Sequence, residues 1–233
     1  MRRFLVAGSV LLAVAGSLAA VPAGDGPLPE QLADTGGGSQ LITVEAAAPH
    51  STTGRLTWWD LRDGSWHQAG SAAARFGAKG LADGAKRRQG TATTPTGVFD
   101  LPYAFGIKAA PAGTRYPYRA VNSDSWWCED NSSRAYNRWV DPLPADCRAG
   151  DAERLGNYPT QYARAFVIGY NYARPVHGRG AGIFLHVNGS GATDGCVSVP
   201  AAAVDRILSW AVPGRRPHIA IGTRSGPTAL TRY

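Results

Sequence analysis

Apolar and polar side chains alternate over residues 40–46 through Leu41-Ile42-Thr43-Val44, and again over 54–61 through Leu56, Trp58 and Leu61. A period of two marks a strand with one face buried. The stretches 97–101, 165–170, 182–187, 195–199 and 218–222 are rich in β-branched or aromatic residues, lie between Gly, Pro and Asn turns, and read as further strands. The period changes after Pro200, where Val204, Ile207, Leu208 and Ala211 fall at i, i+3, i+4 and i+7 and Gly214 follows. That spacing predicts a helix with Pro200 at its first position and one apolar stripe laid on the sheets. The pattern gives a mainly β, α+β domain with no internal repeat. A length of 233 residues suits one such domain plus terminal extras.

The ends are organised differently. Arg2 and Arg3 precede an uncharged run from Phe4 to Ala20, and Val21-Pro22-Ala23 follows. This is the layout of a secretory signal peptide over 1–23. The run also approaches the ~18 residues of a membrane anchor, but its Gly and Ala content favours cleavage near Ala23. No later segment is apolar enough to span a bilayer, so the expected mature chain is secreted, peripheral to the wall and monomeric. Residues 24–39, with Gly36-Gly37-Gly38, have the composition of a flexible leader. The domain is expected over 40–223 and a tail over 224–233.

The formal charge of +7 becomes +5 when Arg2 and Arg3 leave, which points to anionic wall polymers. The Arg residues are scattered rather than clustered, which argues against a nucleic-acid partner. Three cysteines in an exported chain make one pair and one leftover. Cys128 and Cys147 flank one polar segment and are expected to bond, leaving Cys196 free. The segment 109–162 is dense in Trp, Tyr, Asn and Arg and too long for an ordinary loop. It reads as an insertion tied by that bridge, either bordering a cleft or forming a stapled surface excursion.

The run Gly182-Ile183-Phe184-Leu185-His186-Val187-Asn188 is an apolar strand ending near a histidine. A polar turn leads to Asp194-Gly195-Cys196-Val197-Ser198-Val199-Pro200 and the helix. Cysteine chemistry needs a thiolate, which a nearby imidazole can generate by taking the proton. Gly195 lets the backbone bend so that its N–H and that of Cys196 can face an oxyanion. A lone buried cysteine and a satisfied strand histidine are the bland readings of each residue, but the joint pattern favours catalysis. The histidines His50, His67, His177, His186 and His218 have no zinc-ligand spacing, so neither metal nor cofactor is expected.

The run Thr94-Pro95-Thr96-Gly97-Val98-Phe99 resembles the substrate-side motif of L,D-transpeptidase (YkuD-type) domains, and His186 with Gly195-Cys196-Val197 resembles that family's catalytic pair. The likeness covers about four-fifths of the chain. It implies a β-sandwich of mixed sheets and acyl transfer on peptidoglycan stem peptides. Cys196 would attack the carbonyl of the third stem residue, D-alanine would leave, and an amine or water would resolve the thioester. The resemblance also implies acylation by carbapenems. Two departures stand out: the family's usual Ser/Thr-His-Gly-Cys has Asp194 in place of its histidine, and the base-to-nucleophile span is short. His177 matches the usual spacing better but falls in a loop, so His186 is the preferred base. Asp194, Asn188 and His177 remain accessory candidates. A papain-like wall peptidase is disfavoured because its nucleophile precedes its histidine. A wall-binding module with a degenerate site is the competing class.

Overall fold

The computed structural model describes residues 26–233, so the expected signal peptide lies outside the described residues. β1 (Gln40–Ala46), β2 (Thr53–Arg62), β3 (Ser65–Arg75), β4 (Leu81–Asp83), β5 (Thr94–Asp100), β6 (Ala104–Gly106) and β7 (Tyr118–Ala120) come first. β8 (Trp126–Cys128), β9 (Arg138–Val140) and β10 (Ala152–Arg154) follow, then β11 (Ala165–Val167), β12 (Phe184–Val187) and β13 (Val197–Val199). The helix α1 (Ala201–Trp210) and β14 (His218–Thr223) come last.

Eleven strands form one sheet in the order β4-β5-β14-β1-β2-β3-β13-β12-β11-β6-β7, and β10-β8-β9 form a second. The large sheet is mixed: β1 runs parallel to β14 and β12 parallel to β13, whereas β1–β2 and β11–β12 are antiparallel. Its two halves join where Ser198 of β13 pairs with Arg75 of β3 and, just beyond the strands, where Gly77 bridges to Thr193. Ile42, Val44 and Leu56 from one half, Leu185, Val187, Val197 and Val199 from the other, and Val204, Ile207 and Leu208 of α1 share one core. The expected mainly β fold with one helix is observed, and the layers are halves of a continuous sheet. Burying such side chains contributes about 1.5–3 kcal/mol each, so this core carries most of the stability.

Glycine sets several strand ends where they differ from expectation. Gly182 has φ +63° and Gly195 has φ +144°, conformations open to glycine and costly for other residues. β12 and β13 therefore start two residues later than the apolar runs suggest. Pro200 has ψ 145° and caps α1 instead of opening it, a correction to the expected first helical position. β3 was not anticipated. It pairs with β2 across Asp63-Gly64, both with positive φ, the turn geometry that matches strand twist.

The segments beyond the expected domain lie against it. Leu28 and Leu32 pack beside Leu41, Trp66, Ala220 and Leu230, and the Asp34 N–H donates to the Tyr233 carbonyl at 2.9 Å. Among the described residues no helix is long and apolar enough to cross a membrane.

The insertion holds β7 to β10, and Cys128 and Cys147 are bonded with Cα atoms 6.2 Å apart. Its Trp127, Trp139, Leu155 and Tyr162 form a second core with Phe105, Val167 and Phe184, and Cys196 packs against this core.

Candidate active site

β12 and β13 lie side by side with His186 opposite Ser198. Extending that parallel register by two residues sets Cys196 opposite Phe184, on the face that carries His186. Both side chains line one cleft with Glu153, Tyr158, Gln161, Tyr162 and Asp194. Cys196 also lines a second cleft with Arg87, Glu129, Glu153, Gly182 and Asp194. The nucleophile candidate therefore sits between two approaches.

His186 is buried at 6% exposure. Its Nδ1 lies 2.8 Å from the Val187 carbonyl oxygen. A carbonyl only accepts, so Nδ1 carries the proton and Nε2 keeps a free lone pair. Burial lowers the imidazole pKa to about 4, against the pull of the Val187 bond. The ring is thus neutral at physiological pH, the form a base needs. Tyr162 meets it edge-on, with centroids 5.7 Å apart.

Cys196 is free and half-buried. Its thiol donates to the Gly182 carbonyl at 3.3 Å, and its sulfur accepts from the Phe184 N–H at 3.3 Å. Burial first, then the charge of Glu153, push its pKa far up, while the Phe184 N–H and Arg87 pull the other way. At rest the thiol and the imidazole in this cleft are both neutral, so the expected thiolate is not preformed.

Threonines fix the turn that carries Cys196. Thr193 Oγ1 donates to the Cys196 carbonyl at 2.6 Å and accepts from the Gly195 N–H at 3.2 Å. Thr94 Oγ1 accepts from the Gly77 N–H at 2.9 Å and reaches the same Cys196 carbonyl at 3.3 Å. Thr94, in the motif expected on the substrate side, is fully buried and supports the turn from beneath. Of the two expected oxyanion donors, the Gly195 N–H is occupied by Thr193. Gly195 must be glycine for a second reason: a Cβ there would lie 2.7 Å from Arg87 Nη2 and 3.0 Å from the Thr93 carbonyl.

The accessory candidates separate. Asp194 is exposed and lines both clefts. Asn188 accepts from Ser198 Oγ at 2.9 Å, tying the end of β12 to β13, and lines neither cleft. His177 stacks on Tyr136 with centroids 4.7 Å apart and lines a different cleft with Lys86, Arg87, Arg88 and Arg179.

Four residues at the site carried no sequence signal. Glu129 and Glu153 flank the sulfur from the insertion, and burial holds both well above the usual carboxylate range. Repulsion from Glu153 adds to the rise of Glu129, and Asp194 adds to both. Tyr162 donates to Glu153 Oε2 at 2.6 Å. Arg87 is buried at 6% exposure, and its Nε donates to the Thr93 carbonyl at 2.6 Å. No spacing marks these residues, and the one hint was the bridged segment itself. Among the described residues no group of three or more His, Cys, Asp or Glu side chains is placed to hold a metal ion.

Comparison with known proteins bears on what this arrangement is. No curated protein sequence matches the chain. The solved structure of Bd1075 from Bdellovibrio bacteriovorus is similar with 14% identity and a TM-score of 0.38, covering 79% of this chain and 48% of that one. The chain thus spans about half the length of that protein. The family model of the L,D-transpeptidase catalytic domain (YkuD) matches residues 42–219. That match runs from within β1 to within β14 and takes in both His186 and Cys196, and the chain belongs to the L,D-transpeptidase catalytic domain family.

Proposed function

We propose that the protein is an exported cysteine acyltransferase that acts on peptidoglycan stem peptides through a Cys196 thioester. The observation that carries this reading is the pairing in one cleft of a free thiol with an imidazole whose Nε2 is left unprotonated by the Nδ1–Val187 bond. The Cys196 proton passes to His186 Nε2 as the sulfur attacks the carbonyl of the third stem residue. The Cys196 N–H meets the oxyanion. The tetrahedral centre then collapses, the His186 proton goes to the leaving D-alanine nitrogen, and a thioester remains. An amine or a water entering by the second cleft gives its proton to His186 and takes the acyl group. An amine yields a cross-link, and water yields a trimmed stem. Export rests on the basic, apolar and small-residue layout of the first residues.

A second reading, a wall-binding module with a weak or inactive site, draws on the raised thiol pKa and the carboxylates around the sulfur. Incubation of purified protein with muropeptides, read by mass, separates the two. Cross-linked dimers or trimmed stems, absent with Cys196→Ala, support the acyltransferase. Unchanged muropeptides with folded wild type support the binding module.

A further inference from the structure

Residues 85–88 and 176–179 form the walls of a cleft lined by Lys86, Arg87, Arg88, His177 and Arg179. Its two walls are tied together. The Gln89 N–H donates to the Gly178 carbonyl at 2.9 Å, and Arg87 Nη1 donates to the Arg179 carbonyl at 3.3 Å. Tyr136 braces them from below, donating to Gln89 Oε1 at 2.7 Å and accepting from the Gly180 N–H at 3.0 Å. His177 Nδ1 faces the Asn131 carbonyl. The cleft is therefore preorganised. Among the described residues its one acidic neighbour in an ion pair is Asp83, 3.8 Å from the exposed Lys86. The Arg88 and Arg179 side chains make no hydrogen bond or ion pair among the described residues.

Cations held together on fixed walls repel one another, and a bound anion relieves that repulsion with charge-assisted bonds. Arg87 joins this cleft to the nucleophile: it lines both clefts, and its Nη2 reaches the Gly195 turn. Around the sulfur the titratable lining is Glu129, Glu153 and Asp194, the two glutamates held protonated by burial, and Arg87 is the one cation among the lining residues. A peptide with its reacting carbonyl at Cys196 would have a nearby carboxylate drawn past Arg87 toward the cations of the basic cleft.

We propose that this cleft is an anion subsite for a carboxylate of the stem peptide, an inference that rests on the acyltransferase reading. Two carboxylates lie close enough in sequence to the reacting carbonyl: that of the terminal D-alanine and that of the second stem residue. Calorimetric titration of the Cys196→Ala protein with the free tetrapeptide stem and with its two mono-amides distinguishes them. The amide that removes the bound carboxylate should bind about tenfold more weakly. Adding Arg88→Gln and Arg179→Gln should weaken the free peptide about tenfold and leave that amide unaffected. In protein that keeps Cys196, the same pair of substitutions should raise KM for D-alanine release about tenfold and leave kcat within about twofold. Absence of binding, or binding indifferent to both amidation and the arginine changes, overturns the subsite. Carboxylate-dependent binding without any D-alanine release from wild type keeps the subsite and overturns the acyltransferase reading instead.

Discussion

On the proposed mechanism His186 takes one proton from Cys196, and the two side chains share one cleft. The Val187 carbonyl fixes the tautomer of His186, and burial keeps the ring neutral. The same burial keeps Cys196 protonated, so the thiolate has to form as substrate arrives. Removing the base should then be severe: His186→Ala is expected to slow carbapenem acylation of Cys196 by roughly 10²–10⁴-fold, measured as adduct mass against time. His177→Ala should leave that rate near wild type and mainly weaken peptide binding, since His177 lines the separate basic cleft. Melting curves of both variants check that they fold. The buried carboxyls have their own signature. Glu129 and Glu153 hold protons in the folded state that they lose near pH 4.5 when unfolded. Their contribution to stability is present at low pH and is lost as pH rises toward and past neutrality. His186 works the other way between about 4 and its ordinary 6.5, where the unfolded chain binds the extra proton. Between pH 6.5 and pH 8 the carboxyls dominate, so the melting temperature should fall across that range. Glu129→Gln with Glu153→Gln should flatten that slope, and an unchanged slope would contradict the assignment.

At the scale of elements, the disulfide-tied insertion decides what faces the sulfur. β8 and β10 pair Trp127 with Glu153, and Glu129 directly follows the bridged Cys128. Losing the bridge frees a loop closed between two residues 19 apart in sequence in the unfolded chain. Cys128→Ser with Cys147→Ser is expected to destabilise the protein by about 2–4 kcal/mol, read from denaturant midpoints. Non-reducing peptide mapping of the wild type should find Cys196 outside any disulfide. How far elements were legible depended on what defines them. α1 carries a clean periodic pattern because one face is buried, whereas β1 and β14 are buried on both faces, so β1 is not the half-buried strand expected and both are legible through their β-branched residues. β3 reads Ser-Trp-His-Gln-Ala-Gly-Ser-Ala-Ala-Ala-Arg, with few β-branched residues, so its strand identity comes from the partner β2 and the Asp63-Gly64 turn. That turn was the signal available, and propensity alone hid it. The apolar runs of β12 and β13 extend past the strands themselves, because Gly182 and Gly195 adjoin them in sequence while their positive φ values place them in turns.

For the molecule as a whole, the pair of Cys196 and His186 was readable because both belong to one local βturnβ unit, β12 to β13, where register alone brings them together. The rest of the site was not readable, because Glu129, Glu153, Tyr162 and Arg87 arrive from distant segments through the insertion and the loop after β4. Tertiary assembly, which leaves no spacing in sequence, put them there. The terminal segments show the same effect: Leu28, Leu230 and Tyr233 look like leader and tail, yet Leu230 is buried and Tyr233 meets Thr96 Oγ1 at 2.6 Å. The polarity of the surface also appears only at this scale, with a basic cleft and a carboxyl-lined one meeting at Arg87. On the acyltransferase reading a stem peptide acylates Cys196. Rapid-quench intact-mass measurement of the wild-type protein with a tetrapeptide stem tests it most directly. The expected result is one adduct of the peptide less D-alanine, mapped to Cys196, with matching D-alanine release and no adduct in Cys196→Ala. Folded wild-type protein that forms no adduct and releases no D-alanine, or an adduct that persists in Cys196→Ala, would contradict it.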